Sequence, residues 1–330
     1  MNTASTASPG RSSQTVLLAD IGGTNARFAL LAEGTVGTVA HMAVSAYGSF
    51  GEALSVYLGR MPEAGTIRAA FLAVAGTVEN GRCVLTNSPW VIDAAELRTS
   101  CGFSTVRLIN DFEAVAWSLP RLSRDKLLQL GGGQPVVGAP LAAVGPGTGL
   151  GVGANIPHAT GHLVLPGEGG HVTLAGCSPR EDAVIGYLRQ RFGHVSAERV
   201  LSGNGLENLH EALAALDNLM LPRRRAAEIT QAGIEGTCPT SRAAIDMFCA
   251  MLGTVAGNLA LTLSSRGGVF IAGGILQRIP QYLAGSAFRA RFEEKGRFRK
   301  YLAPIPAYLI LDEDAAFVGL KALAEVEGVG

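Results

Sequence analysis

Excess charge of either sign is missing from this chain. Its 330 residues carry 27 basic and 27 acidic side chains, so no broad field is available to hold nucleic acid or an anionic membrane. A cysteine framework is missing too. The five cysteines, at positions 83, 101, 177, 238 and 249, are odd in number and form no CxxC pair. That excludes a disulfide scaffold and fits a reduced, cytoplasmic setting. The opening MNTASTASPGRSSQ lacks the apolar core of a signal peptide, and residues 1–14 are expected to form a disordered tail. No Gly-Lys-Ser/Thr triplet occurs, so there is no Walker loop. The apolar stretch Ala243 to Leu263 contains Asp246, Asn258 and glycines, and reads as a helix buried in a large soluble core rather than a membrane span.

What is abundant is glycine, 43 residues gathered in short runs that read as turns rather than linkers. The chain is long enough for two domains, and its 48% hydrophobic content supplies two cores. TVLLADIGGTNARFALLAEG reads as strand, glycine turn, strand, and LAAVGPGTGLGVGANI repeats that plan further on. Helices are expected from Ser49 to Met61, near Asp93 to Ser100, over DFEAVAWSL, from Ser178 onward, on both sides of a Gly-Asn-Gly break in SAERVLSGNGLENLHEAL, from Thr240 to Ser264, and over the closing DEDAAFVGLKALAEV. Asn80-Gly81 marks a tight hairpin. Alternating strands and helices, with a strand–turn–strand hairpin opening each half, point to two related α/β domains facing one cleft.

Three glycine loops invite a nucleotide. Asp20-Ile-Gly-Gly-Thr-Asn25 ends an apolar strand, and Gly22 and Gly23 let backbone N–H groups approach an anion while Thr24 and Asn25 add donors. A bare hairpin turn is the bland reading; the flanking Asp, Thr and Asn favour phosphate. Asp20 is placed to orient a hydrated Mg²⁺. In GPGTGLGVG, Gly149, Gly151 and Ala154 match a dinucleotide spacing, but no helix follows, and a phosphate-cradling hairpin with Gly147, Thr148 and Gly149 fits better. Gly273-Gly274 ends a buried strand where a flat ligand could lie against the backbone.

In this order the loops resemble the two phosphate motifs and the adenosine motif of the hexokinase–actin–Hsp70 superfamily. DIGGTNARFAL, TNSPW, LINDFEAVAW, GPGTGLGVG, LPGEGGHV and HVSAERVLSG together resemble the bacterial glucokinase family, from about Thr15 onward. The resemblance implies a two-domain actin-like ATPase (ribonuclease H-like) fold. The small domain is expected over 15–121 plus 312–330 and the large one over 122–311, with Asp111 in a cleft that closes around the sugar. It implies transfer of the ATP γ-phosphoryl group to the 6-hydroxyl of glucose, with Mg²⁺, and a homodimer.

Such a reaction needs a carboxylate to take the acceptor proton and fixed polar groups for the sugar hydroxyls. Asp111 stands at a strand end beside a helix start. Asn110 has the spacing of an N-cap with Glu113, or contacts sugar. The resemblance makes Asp111 the base and, with Asn87, Asn110, Glu168, His171 and Glu198, a sugar contact. Glu198 is expected in the first turn of a helix, where the dipole alone would favour it. Glu168 and His171 also suit zinc, but only Cys177 is near, and the cysteine cluster of the related repressor/open-reading-frame/kinase family is missing, so no zinc is expected. The basic run Arg289 to Lys300 reads as a solvated helix face. Kinases for other hexoses or amino sugars, other phosphate donors such as polyphosphate or ADP, and a sugar-responsive regulator remain alternatives. A DNA-binding regulator would need more than the short polar segment before the first strand.

Overall fold

The computed structural model describes residues 14–62, 64–85 and 88–329. Residues 1–13 of the expected tail and Asn87 therefore lie outside the described residues. The chain packs as two units, one ending at Asn110 and regaining the chain at Leu320, the other Asp111–Gly319.

The first unit contains β1 (Val16–Ile21), β2 (Asn25–Ala32), β3 (Thr35–Val36), β4 (Ala40–Ala43), β5 (Ala69–Val74), β6 (Arg82–Val84), β7 (Val91–Asp93) and β8 (Thr105–Asn110), with helices α1 (Phe50–Leu58) and α2 (Ala94–Cys101). Its main sheet runs β3-β2-β1-β5-β8, with β4 also on β2. β1 is antiparallel to β2 and parallel to β5, which is parallel to β8. β5 is buried at every position, as a central parallel strand must be. Helix α1 starts where Ser49 accepts from the Glu52 N–H at 3.2 Å while Glu52 returns to the Gly48 N–H at 2.7 Å. Asn80 and Gly81 both take positive φ, 52° and 74°, the turn that sends the chain into β6. Phe28, Phe50, Tyr57 and Trp90 form the aromatic centre of this core, Phe28 and Tyr57 with ring centroids 5.1 Å apart.

The second unit contains β9 (Leu127–Gly131), β10 (Leu141–Pro146), β11 (Leu150–His158), β12 (Gly161–Gly167), β13 (Gly268–Ile271) and β14 (Ala307–Ile310). Its helices are α3 (Asp111–Ser118), α4 (Pro179–Phe192), α5 (Gly203–Leu216), α6 (Ala226–Ile234), α7 (Pro239–Thr262), α8 (Gly274–Gln277), α9 (Pro280–Gly285), α10 (Phe288–Glu293) and α11 (Arg299–Leu302). The last helix, α12 (Ala315–Val326), crosses the division at Gly319/Leu320. The sheet order is β12-β11-β10-β13-β14-β9. β10 is antiparallel to β11 and parallel to β13, and β13 is parallel to β14. Apart from β4 and β9, the two sheets have the same topology, so the shared plan read in the sequence is a shared strand order.

The divisions fall at 110/111 and 319/320 rather than the expected 121/122 and 311/312. Glycine explains part of the shift. A Cβ on Gly145 would lie 2.6 Å from the Phe112 ring, one on Gly153 2.8 Å from the Phe112 carbonyl oxygen, and one on Gly151 would enter that ring. These glycines let α3 lie directly on β10 and β11, so Asp111 and the rest of the helix go with the second unit.

Helix α7 is long and apolar enough to cross a membrane by length and composition, but 78% of its apolar window is buried, as a core helix would be. Gly253 and Gly257 let it approach the backbone of α10. The basic run Arg289 to Lys300 is solvated as expected over residues 296–300, but not in its first part. Phe288 and Phe292 are fully buried, Arg289 donates to Glu293 at 2.6 Å and to the Ile305 carbonyl at 2.9 Å, and Arg291 donates to Glu181 at 2.6 and 3.0 Å. Glu181 lies on α4, far away in sequence, and only the fold reveals the pairing.

The Glu181–Arg291 pair makes the first prediction. Burial pushes the Glu181 carboxyl up, but the hydrogen bond from Arg291, the Cys177 N–H and the Arg291 charge outweigh it and leave the group below its ordinary value. A depressed carboxyl contributes stability that is present above its unfolded-state pKa and lost as pH falls through the folded value. Arg291→Met is expected to cost about 3–5 kcal/mol in urea unfolding at pH 7, because it strands a buried carboxylate. The difference from wild type should shrink in acid, below about pH 4. A pH-independent difference would mean that packing, not the ion pair, is lost.

Candidate functional site

Each half presents a glycine turn in the same place, between β1 and β2 in the first unit and between their counterparts β10 and β11 in the second. In the first unit, Asp20 lies opposite Arg27 in the β1–β2 register. Arg27 Nε donates to Asp20 Oδ2 at 3.0 Å, and the same carboxylate oxygen takes a second guanidinium bond. The turn closes on itself through Gly22 N–H to the Asn25 carbonyl, 2.9 Å, and through Val44 N–H to the Thr24 carbonyl, 2.9 Å. Gly22 therefore shapes the loop, while the N–H groups of Gly23 and Thr24 have no hydrogen-bond partner among the described residues. Thr24 and Asn25 are exposed. At the same end of this sheet, on its edge strand β8, Asn110 Nδ2 donates to the Gly76 carbonyl at 3.2 Å, tying the end of β8 to the segment that follows β5.

The second unit repeats this. Gly147 N–H bonds the Gly149 carbonyl at 2.8 Å, and Gly203 N–H bonds the Gly147 carbonyl at 2.9 Å, so the turn is pinned to the start of α5. The N–H groups of Thr148 and Gly149 have no partner among the described residues. A cavity of about 600 Å³ opens here. Gly147 and Thr148 form one wall, Asn204 and Glu207 of α5 and Ala227 and Gln231 of α6 another, and Ile275 and Arg278 a third. The second and third glycine motifs thus meet at one chamber. Their two glycines do different work. A Cβ on Gly273, at φ +108°, would run into the Pro146 carbonyl, so this residue is fixed by packing; Gly274 faces open space. Sequence reasoning missed the α5 and α6 walls, because nothing in Asn204, Glu207 or Gln231 marks them until the helices are placed.

A polar cluster surrounds Leu150, just past the turn. Glu198 Oε2 accepts from the Leu150 N–H at 3.0 Å and occupies the space a side chain on Gly149 would need. Gly170 packs on the Leu150 carbonyl. It sits in a short 3-10 turn, Gly169–His171, whose flanks present Glu168 and His171, both about two-thirds exposed and 3.9 Å apart. Ala197 N–H bonds the Val172 carbonyl at 2.9 Å, joining this turn to the one carrying Glu198. Glu198 is in a 3-10 turn, Ala197–Arg199, not in the first turn of a helix as expected. The helix begins later: Ser202 accepts from the Gly205 N–H at 2.9 Å, and Gly203-Asn204-Gly205 is the first turn of α5 rather than a break. A Cβ on Gly205 would lie under 3 Å from the Val200 backbone, because the chain folds back on itself just before the helix.

Asp111 opens α3 directly after β8, with Phe112 N–H donating to Oδ1 at 2.9 Å. Among the described residues no group of three or more His, Cys, Asp or Glu could hold a metal ion. The second unit thus holds Asp111, Glu168, His171, Glu198 and the Gly147–Gly149 turn. The first holds Asp20, Gly22, Gly23, Thr24, Asn25 and Asn110.

Two halves of ribonuclease H-like topology, each with a glycine turn in its β1–β2 or β10–β11 hairpin, define the actin-like ATPase fold of two-domain sugar kinases. A family model described as Glucokinase matches residues 17–327, so the chain belongs to the glucokinase family. A glucokinase of Paramagnetospirillum magneticum is 48% identical over 313 residues, 94% of this chain and 98% of that one. Among solved structures, a glucokinase from an Antarctic psychrotroph has a TM-score of 0.85 at 34% identity, covering 95% of this chain and 99% of its own. A glucokinase of Balamuthia mandrillaris in complex with glucose, 20% identical with a TM-score of 0.77 over 94% of each chain, shares the fold.

Proposed function

We propose that the protein transfers the γ-phosphoryl group of ATP to the 6-hydroxyl of D-glucose, giving glucose 6-phosphate and ADP. The observation that carries this reading is the junction at Leu150. On one side lies a chamber fit for a nucleotide, edged by two glycine motifs. On the other lie Glu168, His171 and Glu198, hydrogen-bonding groups of the kind a sugar needs. Glu198 belongs to both, since its carboxylate holds the loop that edges the chamber.

The adenosine is assigned to the chamber against Gly274, Ile275 and Arg278, and the phosphates to the N–H groups of Thr148 and Gly149 and those of Gly23 and Thr24. Little covalent help is required in such a transfer; positioning and charge stabilisation do most of it. Asp111 accepts the proton of the 6-hydroxyl as that oxygen attacks phosphorus. Asn110, Glu168, His171 and Glu198 fix the other hydroxyls, with Asn87 a further contact. Asp20 offers the hard oxygen donor that Mg²⁺ takes, and with Oδ2 held by Arg27 it suits contact through the ion's water shell. Mg²⁺ held there supplies charge neutralisation at the ATP phosphates. No zinc enters this reading. We assign the protein to the cytoplasm as a homodimer, which light scattering of the purified chain would check.

Glu198→Gln is the test of the junction. The amide can still sit beneath Gly149, but it gives up a charge-assisted bond, of about 1.5–3 kcal/mol. KM for glucose and KM for ATP should therefore both rise, glucose by about tenfold or more. A rise confined to glucose would leave Glu198 as a sugar contact alone. Unchanged constants for both would remove it from the site.

A further inference from the structure

A second cavity, of about 760 Å³, lies on the other side of α5 and has no part in the proposed reaction. Its lining comes from the end of α4, the Glu198 turn, α5, and the segment linking α5 to α6. In a chain of zero net charge, this one hollow gathers Arg191, Arg199, Arg223 and Arg224 against Glu207 and Glu211.

Its charges are not internally cancelled. Arg191 pairs with Glu211 at 3.2 Å, and Glu207 pairs with Arg225 at 3.7 Å. Among the described residues Arg224 is in no ion pair and reaches the Ser241 hydroxyl, at 3.4 Å. Arg199 stacks on Phe192, its guanidinium carbon 4.3 Å from the ring centroid. Among the described residues neither Arg199 nor Arg223 has a carboxylate within ion-pair reach. Guanidinium groups gathered in a concave site with no anion of their own fit phosphate or carboxylate bidentately.

A separate observation points the same way. His210 also lines this cavity and is only 4% exposed, yet among the described residues its Nε2 has no hydrogen-bond partner. Buried polar atoms are almost always paired, so an orphan on a residue that lines a cavity is one that a ligand atom could pair. Burial, and then the charge of Arg224, hold this imidazole below its ordinary pKa. An anion beside Arg224 would counter that charge. Phe192 and Leu221 add apolar surface for an organic moiety.

We propose that this cavity binds a small organic phosphate, held by Arg199 and Arg223 with His210 as the buried partner, and that occupancy changes the affinity for nucleotide. The coupling runs through α5, because Asn204 and Glu207 line both cavities. This second half rests on the nucleotide chamber assigned above; the binding half does not.

The test uses the full-length enzyme saturated with glucose and a non-hydrolysable ATP analogue, so that the chamber is already filled. Pyrophosphate and 3-phosphoglycerate are titrated in, and the imidazole resonance of His210 is followed by NMR, assigned with His210→Gln. A saturable shift of that resonance with at least one probe is expected in the wild type. It should disappear in Arg199→Ala/Arg223→Ala and in the exposed single variant Arg223→Glu, whose turnover without probe stays within about twofold of wild type. The same probe should change KM for ATP at least twofold in the wild type only. A His210 signal unmoved by both probes, or moved equally in the variants, overturns the site. A shift without any change in KM for ATP keeps the site and overturns the coupling. Loss of glucose turnover in every form would instead count against the proposed reaction.

Discussion

Asp111→Ala is expected to lose at least about a hundredfold in kcat on glucose with ATP, the scale of a positioned general base. Asp111→Asn should lose about as much, because the amide keeps the shape and the hydrogen-bond acceptor but cannot take the proton. The prediction has a structural basis. Asp111 is the first residue of a helix that follows β8 without a loop, and the Phe112 N–H fixes one carboxylate oxygen. KM for glucose and for ATP should change only a few-fold in either variant, since Asp111 meets one sugar hydroxyl and the other binding contacts are assigned to other residues. Retention of kcat to within tenfold in Asp111→Ala would remove this residue as the base while leaving the kinase reading intact.

Gly151→Ala is expected to be nearly as damaging, though Gly151 is assigned no contact with either substrate. Its Cβ would enter the Phe112 ring, and Phe112 is the neighbour of Asp111. The helix must rise from the sheet or the ring must turn, an overpacking cost of about 1–3 kcal/mol. The larger effect should fall on rate, because a displacement of about 1 Å at a catalytic group can cost about a hundredfold. Thermal unfolding should thus show a protein that still folds, with a lowered Tm, while kcat falls by about two orders of magnitude. Phe112→Leu in the Gly151→Ala background makes room and should recover part of both. If kcat follows the loss of folded protein and nothing more, α3 tolerates displacement and close packing does not set the rate.

Local signals in the sequence were reliable where the chemistry is local. Ser49 with Glu52, Ser178 before Pro179, and Asn80-Gly81 all perform the capping and turning that their side chains dictate. The duplicated strand–turn–strand plan was legible because each glycine turn follows an apolar strand, and it reappears as one strand order in both sheets.

What escaped was set by contacts that exist only once the chain is folded. Arg291 reads as a surface charge until Glu181, separated by 110 residues, is brought beside it. Gly203-Asn204-Gly205 looks like a helix break until the Val200 backbone is seen to need the space at Gly205. In GPGTGLGVG the glycines have two functions that composition cannot separate: Gly147 and Gly149 shape the turn, whereas Gly145 and Gly151 make room for Phe112. The site residues Glu168, His171 and Glu198 were reached by resemblance. Their common anchor at Leu150 could be seen only in the fold.

The central claim is that glucose is phosphorylated at its 6-hydroxyl with ATP as donor. ³¹P and ¹³C NMR of a reaction containing the protein, glucose, ATP and Mg²⁺ test it most directly. The account predicts glucose 6-phosphate and ADP in equal amounts, with no free phosphate ahead of them. ADP and free phosphate without a sugar phosphate, or a phosphate on another hydroxyl, would contradict it.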